Sequence, residues 1–538
     1  MAAISASASK SPSSIGANKG DIVERVEGRR SDEIVVAFCG AVGCNLTDVI
    51  RNISNEFEGY GYVVEHIKIS DIIRQHFHEN PIPSDYSADN LNDLKGIRRY
   101  SVLQGLGNHL RDKHGTRVLA ALAMSRIAAH RNIITHNGKT KAPKTVYIID
   151  QLKHHHEVEL FRLVYEDLFY LVGVFSPQSV RFSHLTKIEQ IPGPDALALI
   201  ERDRNESSVT NGKSLPHGQK LEKTIQLSDY FICNGQDNSS NLAEPAQRFL
   251  GLVHGKNGLT PTKDEAGMYA AYSASLKSAC LSRQVGAAIA NKDGNIISIG
   301  WNDVPKSGGG LYTSDSSNDQ RCFHHRGLCY NDFHKDRLIT SIVDIVGANL
   351  AVSPEIRLKL AELIQTETRA GSIIEYSRAI HAEMEAILGL ARSQGGSTES
   401  ATLYTTTFPC HNCARHIIAA GIKRVVYIEP YEKSLALELH DDAITLEEGR
   451  SDMTLFENFS GVSPARYASF FLAKGKRKNS EGKAVDIIKG EAKHIAIKYL
   501  DPYQSIETKV VADALETIAG TEAISPAPED DFEPPGAA

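Results

Sequence analysis

The residues best suited to chemistry are a histidine, a glutamate and two cysteines in the second half of the chain. They stand in two short motifs, His381-Ala-Glu383 and Cys410-His-Asn-Cys413. His381, Cys410 and Cys413 can supply three zinc ligands and leave a fourth position open, which is what a catalytic zinc requires. Glu383 is close enough in sequence to reach a zinc-bound water without being a ligand. The spacing therefore predicts a Zn²⁺ site with Glu383 as its general acid and base.

Both motifs are expected where a helix begins. Backbone N–H groups and the helix dipole at such a position favour a thiolate over a thiol. Zinc lowers the pKa of a bound water to about 7, so a hydroxide would be available at neutral pH. A structural zinc site or an unused cysteine pair is the alternative interpretation of the same residues.

A resemblance to a known family rests on four stretches of sequence. They are residues 278–286 (SACLSRQVG), 300–305 (GWNDVP), 381–383 (HAE) and 405–410 (TTTFPC). These resemble the deoxycytidylate deaminases, over about residues 262–475. The resemblance implies hydrolytic removal of the cytosine amine from dCMP or dCTP, with zinc as cofactor. It also implies that Asn302 contacts the sugar, although Asp303 stands where the family usually has glycine.

A second, structural zinc site is a further hypothesis for the irregular stretch between Asn302 and His381. Deoxycytidylate deaminases often carry one in this region, and soft ligands are dense here. The candidate ligands are Cys322, His324, Cys329 and His334, with His325 also nearby. Scattered loop residues are the alternative, and the spacing does not select four ligands.

Two features beside the zinc motif have two interpretations each. Phe408 either stacks on the substrate base or is a buried aromatic residue at the start of a helix. Lys433 or Ser434, after a strand end, either holds a phosphate or belongs to a solvated loop. The basic residues 474–478 are expected to form a solvated loop, with contact to RNA as the alternative.

The first half carries an incomplete phosphate-binding motif. Residues 40–47 (GAVGCNLT) follow an apolar run and precede a helical pattern, which is where a phosphate-binding loop belongs. Gly40 and Thr47 match that motif and Gly43 lies in the same turn, but Asn45 replaces the second glycine and Leu46 stands where the lysine should be. Asp150, at the end of a later strand, could hold magnesium. This half resembles small-molecule nucleotide kinases, and we expect a nucleotide-binding domain without kinase activity.

Alternation of strands and helices predicts an α/β protein with two folded domains. The first, residues 31–255, is expected to be a P-loop kinase-like domain built on a parallel sheet. The second, residues 262–475, is expected to be a cytidine deaminase-like α/β/α sandwich that opens with a hairpin. A disordered leader (1–30), a C-terminal extension (476–524) and a disordered tail (525–538) complete the prediction.

Composition narrows the class of protein. The net charge is -7 and the hydrophobic share is 41%, and no stretch is apolar enough for a membrane helix. Eight cysteines in 538 residues are not a disulfide framework, which favours a reducing, cytoplasmic location. The acidic balance disfavours a competing hypothesis, deamination of single-stranded DNA or RNA, because strand binding depends on neutralising phosphates. An active kinase with an inactive deaminase is disfavoured by the broken loop motif.

The order of the two domains resembles that of bacterial anti-phage deaminases that deplete deoxycytidine nucleotides. The resemblance implies that the deoxycytidine nucleotide substrate is destroyed during infection. A regulatory nucleotide or RNA is the candidate ligand of the first domain, which would control the second. No membrane partner is expected. A homo-oligomer is expected, with a hexamer as one form known in the deoxycytidylate deaminases.

Overall fold

The computed structural model describes most of the chain. It covers residues 31–83, 91–136, 143–205, 218–235, 242–350, 352–393, 395–431, 434–473, 475–495 and 500–522. The predicted leader and tail, and the residues Lys433 and Lys474, lie outside these ranges.

The first half is built around a parallel sheet, as the apolar runs predict. Its strands are β1 (Glu33–Gly40), β2 (Val63–Lys68), β3 (Thr145–Asp150), β4 (Phe169–Phe175) and β5 (Tyr230–Cys233). The spatial order is β5-β4-β1-β3-β2, and every neighbouring pair among these five is parallel. The central β1 is buried along its whole length, because both faces of the sheet are covered.

Helices cover the two faces of this sheet. They are α1 (Leu46–Gly59), α2 (Ile69–Glu79), α3 (Gly96–His114), α4 (Val118–His136), α5 (His155–Tyr165), α6 (Gln178–Ser183), α7 (Gly193–Asn205), α8 (Leu221–Gln226) and α9 (Ala243–Val253). Alternate residues of β1 enter different cores. Val35 and Ala37 pack in one core, while Ile34 and Val36 pack in the other.

The second half contains a mixed sheet. Its elements are α10 (Lys263–Ser275), β6 (Gly286–Ala290), β7 (Ile296–Trp301), α11 (Tyr330–Leu350), α12 (Pro354–Glu367), α13 (Ala382–Ser393), β8 (Thr402–Thr407), α14 (His411–Ala419), β9 (Arg424–Glu429), α15 (Ala436–Leu439), β10 (Ile444–Thr445) and β11 (Thr454–Asn458). The strand order is β10-β11-β9-β8-β6-β7. The β6–β7 hairpin is antiparallel, as predicted, and β8, β9, β11 and β10 are mutually parallel.

Helices α10 and α13 lie on opposite faces of the second sheet, very close to it. Gly286 in β6 permits the first approach, because a Cβ there would lie 1.9 Å from the Ala271 carbonyl oxygen of α10. Gly300 in β7 permits the second, because a Cβ there would lie 2.2 Å from the Ala382 carbonyl oxygen at the start of α13. The sheet thus fixes the position at which α13 begins.

The last part of the chain returns to the first half. The short β12 (Gly461–Val462) pairs antiparallel with β5 and becomes the sixth strand of the first sheet. After α16 (Tyr467–Phe471), α17 (Leu500–Glu522) packs on α4 and its neighbours. The predicted division near residue 255 is therefore crossed by later chain.

A buried charge cluster fixes α17 to the first sheet. Arg131 of α4 donates from Nε to Glu33 at 2.8 Å and also pairs with Glu507 of α17. The Tyr503 hydroxyl donates to the second oxygen of Glu33 at 2.8 Å. Burial of these charges is tolerated because each has a partner.

Within the ranges that the structure describes, no helix combines the length and the apolar character needed to cross a bilayer.

Candidate active site

The two predicted metal-binding motifs converge at the starts of two helices. His381 immediately precedes α13, and Cys410 is the N-cap of α14, with Cys413 in its first turn. The His381 Nδ1 atom lies 3.3 Å from the Sγ atoms of both cysteines. The Cys413 backbone N–H points at the Cys410 sulfur, 3.4 Å away.

This geometry fits a single zinc ion. With Zn–N near 2.1 Å and Zn–S near 2.3 Å, ligand atoms on one tetrahedral zinc lie about 3.6 Å apart. The pKa of the Cys410 thiol is lowered, chiefly by its hydrogen bond with Cys413 and also by the His381 ring. The thiolate is the form of cysteine that binds metal, so a lowered pKa favours metal binding.

Glu383 lies beside these three residues, and its carboxylate faces Cys413. The side chain is buried, and its Oε2 atom accepts a hydrogen bond from the Cys413 thiol at 3.5 Å. Burial raises the pKa of Glu383. A carboxyl group with a raised pKa can exchange protons nearer to neutral pH, which suits a general acid and base.

A cavity of about 160 Å³ opens onto these residues. His381, Glu383 and Cys410 form its floor, and Arg283 contributes a cation to its wall. The Arg283 guanidinium donates to the Thr407 hydroxyl at 3.0 Å and pairs with Glu429. Arg283 belongs to the stretch 278–286, and its position in the cavity wall depends on Thr407 of strand β8.

Asn302 lines the same cavity, but its amide group is already engaged. The Oδ1 atom accepts from the Val285 N–H at 2.8 Å, and Nδ2 donates to the Arg283 carbonyl at 2.9 Å. Asn302 therefore holds the 283–285 backbone in place beside the cavity.

Asp303 is buried and turned toward backbone. Its carboxylate accepts hydrogen bonds from the N–H groups of Ala279 and Val304, at 2.9 and 2.8 Å. Burial raises the pKa of Asp303. Asp303, which stands where deoxycytidylate deaminases usually have glycine, thus fixes the chain before Arg283 through hydrogen bonds to the backbone.

Of the residues with two interpretations, Phe408 has features of both. It lines the cavity, and its ring also packs in the core against Tyr427 and Phe456.

The Ser434 hydroxyl donates to the Pro409 carbonyl at 2.8 Å and accepts from the Ala436 N–H. Ser434 thus supports the turn before Cys410.

The four candidate ligands of a second zinc are not brought together. Among the residues described, ligand atoms of three His, Cys, Asp or Glu side chains lie within 4.8 Å of one another in two groups, His381 with Cys410 and Cys413, and His154–His156. His324 pairs with Asp319 at 3.4 Å, and the His334 ring contacts three aromatic rings. The second site stays a prediction.

The cysteines of this stretch have a neighbour that the spacing did not identify. The pKa of Cys322 is raised by burial and by the charges of Cys280 and Cys329. Cys280 is therefore close enough to Cys322 for their charges to interact, although it is some forty residues away in sequence.

The incomplete loop motif of the first half lines a separate cavity of about 290 Å³. Gly43, Thr47 and Asp150 are in its wall, as is Lys153 from the chain after β3. Gly40 ends β1, and its carbonyl accepts from the Lys153 ammonium at 3.0 Å. The predicted residues thus lie together around one cavity.

A third cavity, of about 390 Å³, lies between the two halves. It shares Ala41 and Cys44 with the cavity of the first half, and Phe408 and Tyr431 with the zinc-site cavity. The zinc-site cavity and the cavity of the first half therefore both border the same third cavity.

Sequence comparison identifies the second half. The family described as "Cytidine and deoxycytidylate deaminase zinc-binding region" matches residues 261–429. The deoxycytidylate deaminase of Enterobacteria phage T4 is 33% identical over 174 residues, covering 30% of this chain and 76% of the phage protein. The zinc-binding description of the matched region agrees with the donor set at His381, Cys410 and Cys413.

Two solved structures are similar to part of the chain. The dCMP deaminase of cyanophage S-TIM5 in complex with dCMP and dUMP matches with a TM-score of 0.22 and 20% identity, covering 38% of this chain and 100% of that chain. The dephospho-CoA kinase of Campylobacter jejuni matches with a TM-score of 0.21 and 14% identity, covering 40% of this chain and 96% of that chain.

Proposed function

The chain belongs to the cytidine and deoxycytidylate deaminase family, and we propose that it hydrolyses the exocyclic amine of a deoxycytidine nucleotide, dCMP or dCTP. Zinc is its cofactor. The observation that carries the proposal is the convergence of His381, Cys410 and Cys413 beside a buried Glu383, at the floor of a cavity. Three ligands leave the zinc a fourth position for water.

The proposed division of labour follows from the atoms at the site. His381 Nδ1 and the two cysteine sulfurs would hold the metal, which when bound would supply an activated water. Glu383 Oε2 would take one proton from that water and deliver it to N3 of the cytosine ring while the water oxygen bonds to C4. Glu383 would then carry the second proton of the water to the amine, so that the C4–N bond breaks, ammonia leaves and the C4 carbonyl forms. The buried position of Glu383 keeps bulk water away from this carboxylate.

We propose that Arg283 meets the substrate phosphate. Its guanidinium is about half-exposed at the cavity wall, so one edge can face a ligand while the other stays with Thr407 and Glu429. An arginine can bind a phosphate through two parallel hydrogen bonds. Asn302 and Asp303 hold the backbone on either side of this arginine, and we assign them positioning roles.

The test of the activity is a substrate panel. Purified protein is incubated with deoxycytidine, dCMP, dCTP and a cytosine-containing single-stranded DNA, and products are identified by mass. We expect the deoxyuridine nucleotide from dCMP, dCTP or both. Conversion confined to the DNA strand would contradict the proposal and favour nucleic-acid editing.

Arg283 is tested by Arg283→Met. We expect KM for the nucleotide to rise about tenfold or more, with less change for deoxycytidine, because a charge-assisted hydrogen bond to phosphate is lost. Arg415→Met, on an exposed position of α14, is the matched control and should leave both unchanged. An equal effect on nucleotide and nucleoside would assign Arg283 to another role.

We further propose that the chain removes deoxycytidine nucleotides during phage infection, with residues 31–255 as a sensing domain and 262–475 as the enzyme. The third cavity, which borders both the zinc-site cavity and the cavity of the first half, supports control of one half by the other. The test compares dCTP levels in infected cells that carry the wild type or Glu383→Gln. Equal dCTP levels in both would contradict this role.

A further inference from the structure

The loop motif of the first half already contains an anion from its own chain. Asp203 of α7 reaches into the turn, where its Oδ2 atom accepts a hydrogen bond from the Val42 N–H at 2.7 Å. Backbone N–H groups of such a turn are the donors that a phosphate would use. The Asp203 side chain is 1% exposed, so the carboxylate is enclosed.

Two cations face the same carboxylate. Lys153 Nζ lies 3.3 Å from Asp203 Oδ1, and Arg181 Nη2 lies 3.7 Å from Asp203 Oδ2. The turn accepts in return from both, since Lys153 Nζ donates to Gly40 O at 3.0 Å and Arg181 Nε to Val42 O at 2.8 Å. A backbone N–H, a lysine and an arginine are the donor set of a phosphate site, yet the anion here is Asp203.

The segment that carries these residues is packed directly on the turn. Gly43 has φ +85°, and a Cβ there would lie 2.8 Å from the Arg181 carbonyl oxygen. Within α7, Ala196, Leu199 and Ile200 form a buried cluster with Val42 of the turn. The carboxylate is thus held by apolar packing as well as by charge.

We propose that Asp203 is an internal anion that takes the place of a phosphate and keeps the loop motif closed to phosphorylated ligands. Lys153, from the chain after β3, supplies the positive charge that Leu46 cannot. A buried carboxylate in this position repels a second anion, since like charges in contact cost several kcal/mol. The wild-type turn therefore does not take up a nucleotide's phosphates while Asp203 stays in place.

The test measures binding of inorganic triphosphate, by calorimetry and by thermal shift, to the full-length wild type and to Asp203→Asn. We expect Asp203→Asn to bind triphosphate at least about tenfold more tightly than the wild type, and its Tm to rise with triphosphate while that of the wild type does not. Glu201→Gln removes a charge from an exposed position of the same helix and should behave as the wild type. Adding Lys153→Met to Asp203→Asn should abolish the gained binding.

Two outcomes would overturn the inference. One is equal triphosphate affinity of the wild type and Asp203→Asn. The other is a folded Asp203→Asn protein, with the circular dichroism and zinc content of the wild type, that does not bind triphosphate. Should the asparagine variant fail to fold, Asp203→Ser replaces it, because the smaller side chain leaves room for water beside the two cations.

Discussion

The zinc site and the loop motif of the first half are built alike and end differently. Each lies where a strand gives way to a helix, with backbone N–H groups directed at the site. At the zinc site three ligand atoms converge and a cavity remains above them. At the loop motif the donors converge on Asp203, which is already part of the protein.

The difference shows when converging polar groups can bind a ligand from outside the chain. Converging polar atoms form a binding site for an external ligand only if no residue of the chain already occupies that position with the opposite charge. Once Cys410 and Cys413 ionise, the donor set that they form with His381 is negatively charged, and a zinc ion neutralises this charge. Lys153 and Arg181 share the carboxylate of Asp203, so an anion of the chain itself already lies beside both cations.

The largest effect should come from the proton carrier of the open site. Glu383→Gln preserves the shape of the side chain and removes its capacity to move a proton. We expect kcat to fall by about 10²- to 10⁴-fold, the usual contribution of a general acid and base. Zinc content, measured by atomic absorption, should stay at the wild-type level.

The matched variant for this prediction is Cys410→Ala, which removes a ligand and should lose both zinc and activity. Cys233→Ala, the same substitution in the first half, should lose neither. A Glu383→Gln protein without its catalytic zinc would show that the glutamate is needed to hold the metal.

A smaller effect is expected from the close approach that positions His381. A methyl group on Gly300 would lie 2.2 Å from the Ala382 carbonyl oxygen, so Gly300→Ala must displace the start of α13. We expect zinc affinity to fall by about 10- to 100-fold, as for other changes behind a metal ligand. Competition with a chelator measures it.

Gly59→Ala is the control for that helix displacement, because a Cβ at the end of α1 would meet no atom within 4 Å. It should leave zinc affinity unchanged. Unaltered zinc affinity in Gly300→Ala would mean that the ligand geometry tolerates movement of α13.

The smallest effect concerns the closed turn. Gly43→Ala should lower the free energy of unfolding by about 1–3 kcal/mol, because alanine is strained at φ +85° and its Cβ would meet Arg181. Urea denaturation measures this loss, and zinc content and kcat of the folded protein should not change. Gly115→Ala has a similar φ, +90°, but open space, and should lose less. Equal losses would mean that the contact with Arg181 contributes nothing.

Much of the fold could be predicted from the sequence because several of its central strands are buried apolar runs. The apolar run before residue 40 forms β1, and the expected hairpin forms from β6 and β7. The end of α10 at Ser275 could not be predicted in this way, because the following chain is bound by the side chains of Asn302 and Asp303. Such long-range hydrogen bonds have no periodic signal.

The zinc donor set could be read from spacing because both motifs are local and each ends at a helix start. Asp203 could not, because it is a single acidic residue about 160 positions after the turn that it fills. Arg283 was missed for the same reason, since the neighbours that define its role, Thr407 and Glu429, come from distant strands. Tertiary contact, rather than local pattern, determines these roles.

The return of β12 to the first sheet has a consequence for synthesis. The ribosome delivers β5 more than two hundred residues before its partner, so one edge of the first sheet waits uncovered while the whole enzyme half is made. An open strand edge invites pairing with other chains. A messenger truncated after the zinc motif but before Gly461 would thus encode every metal ligand and still release a chain prone to aggregate.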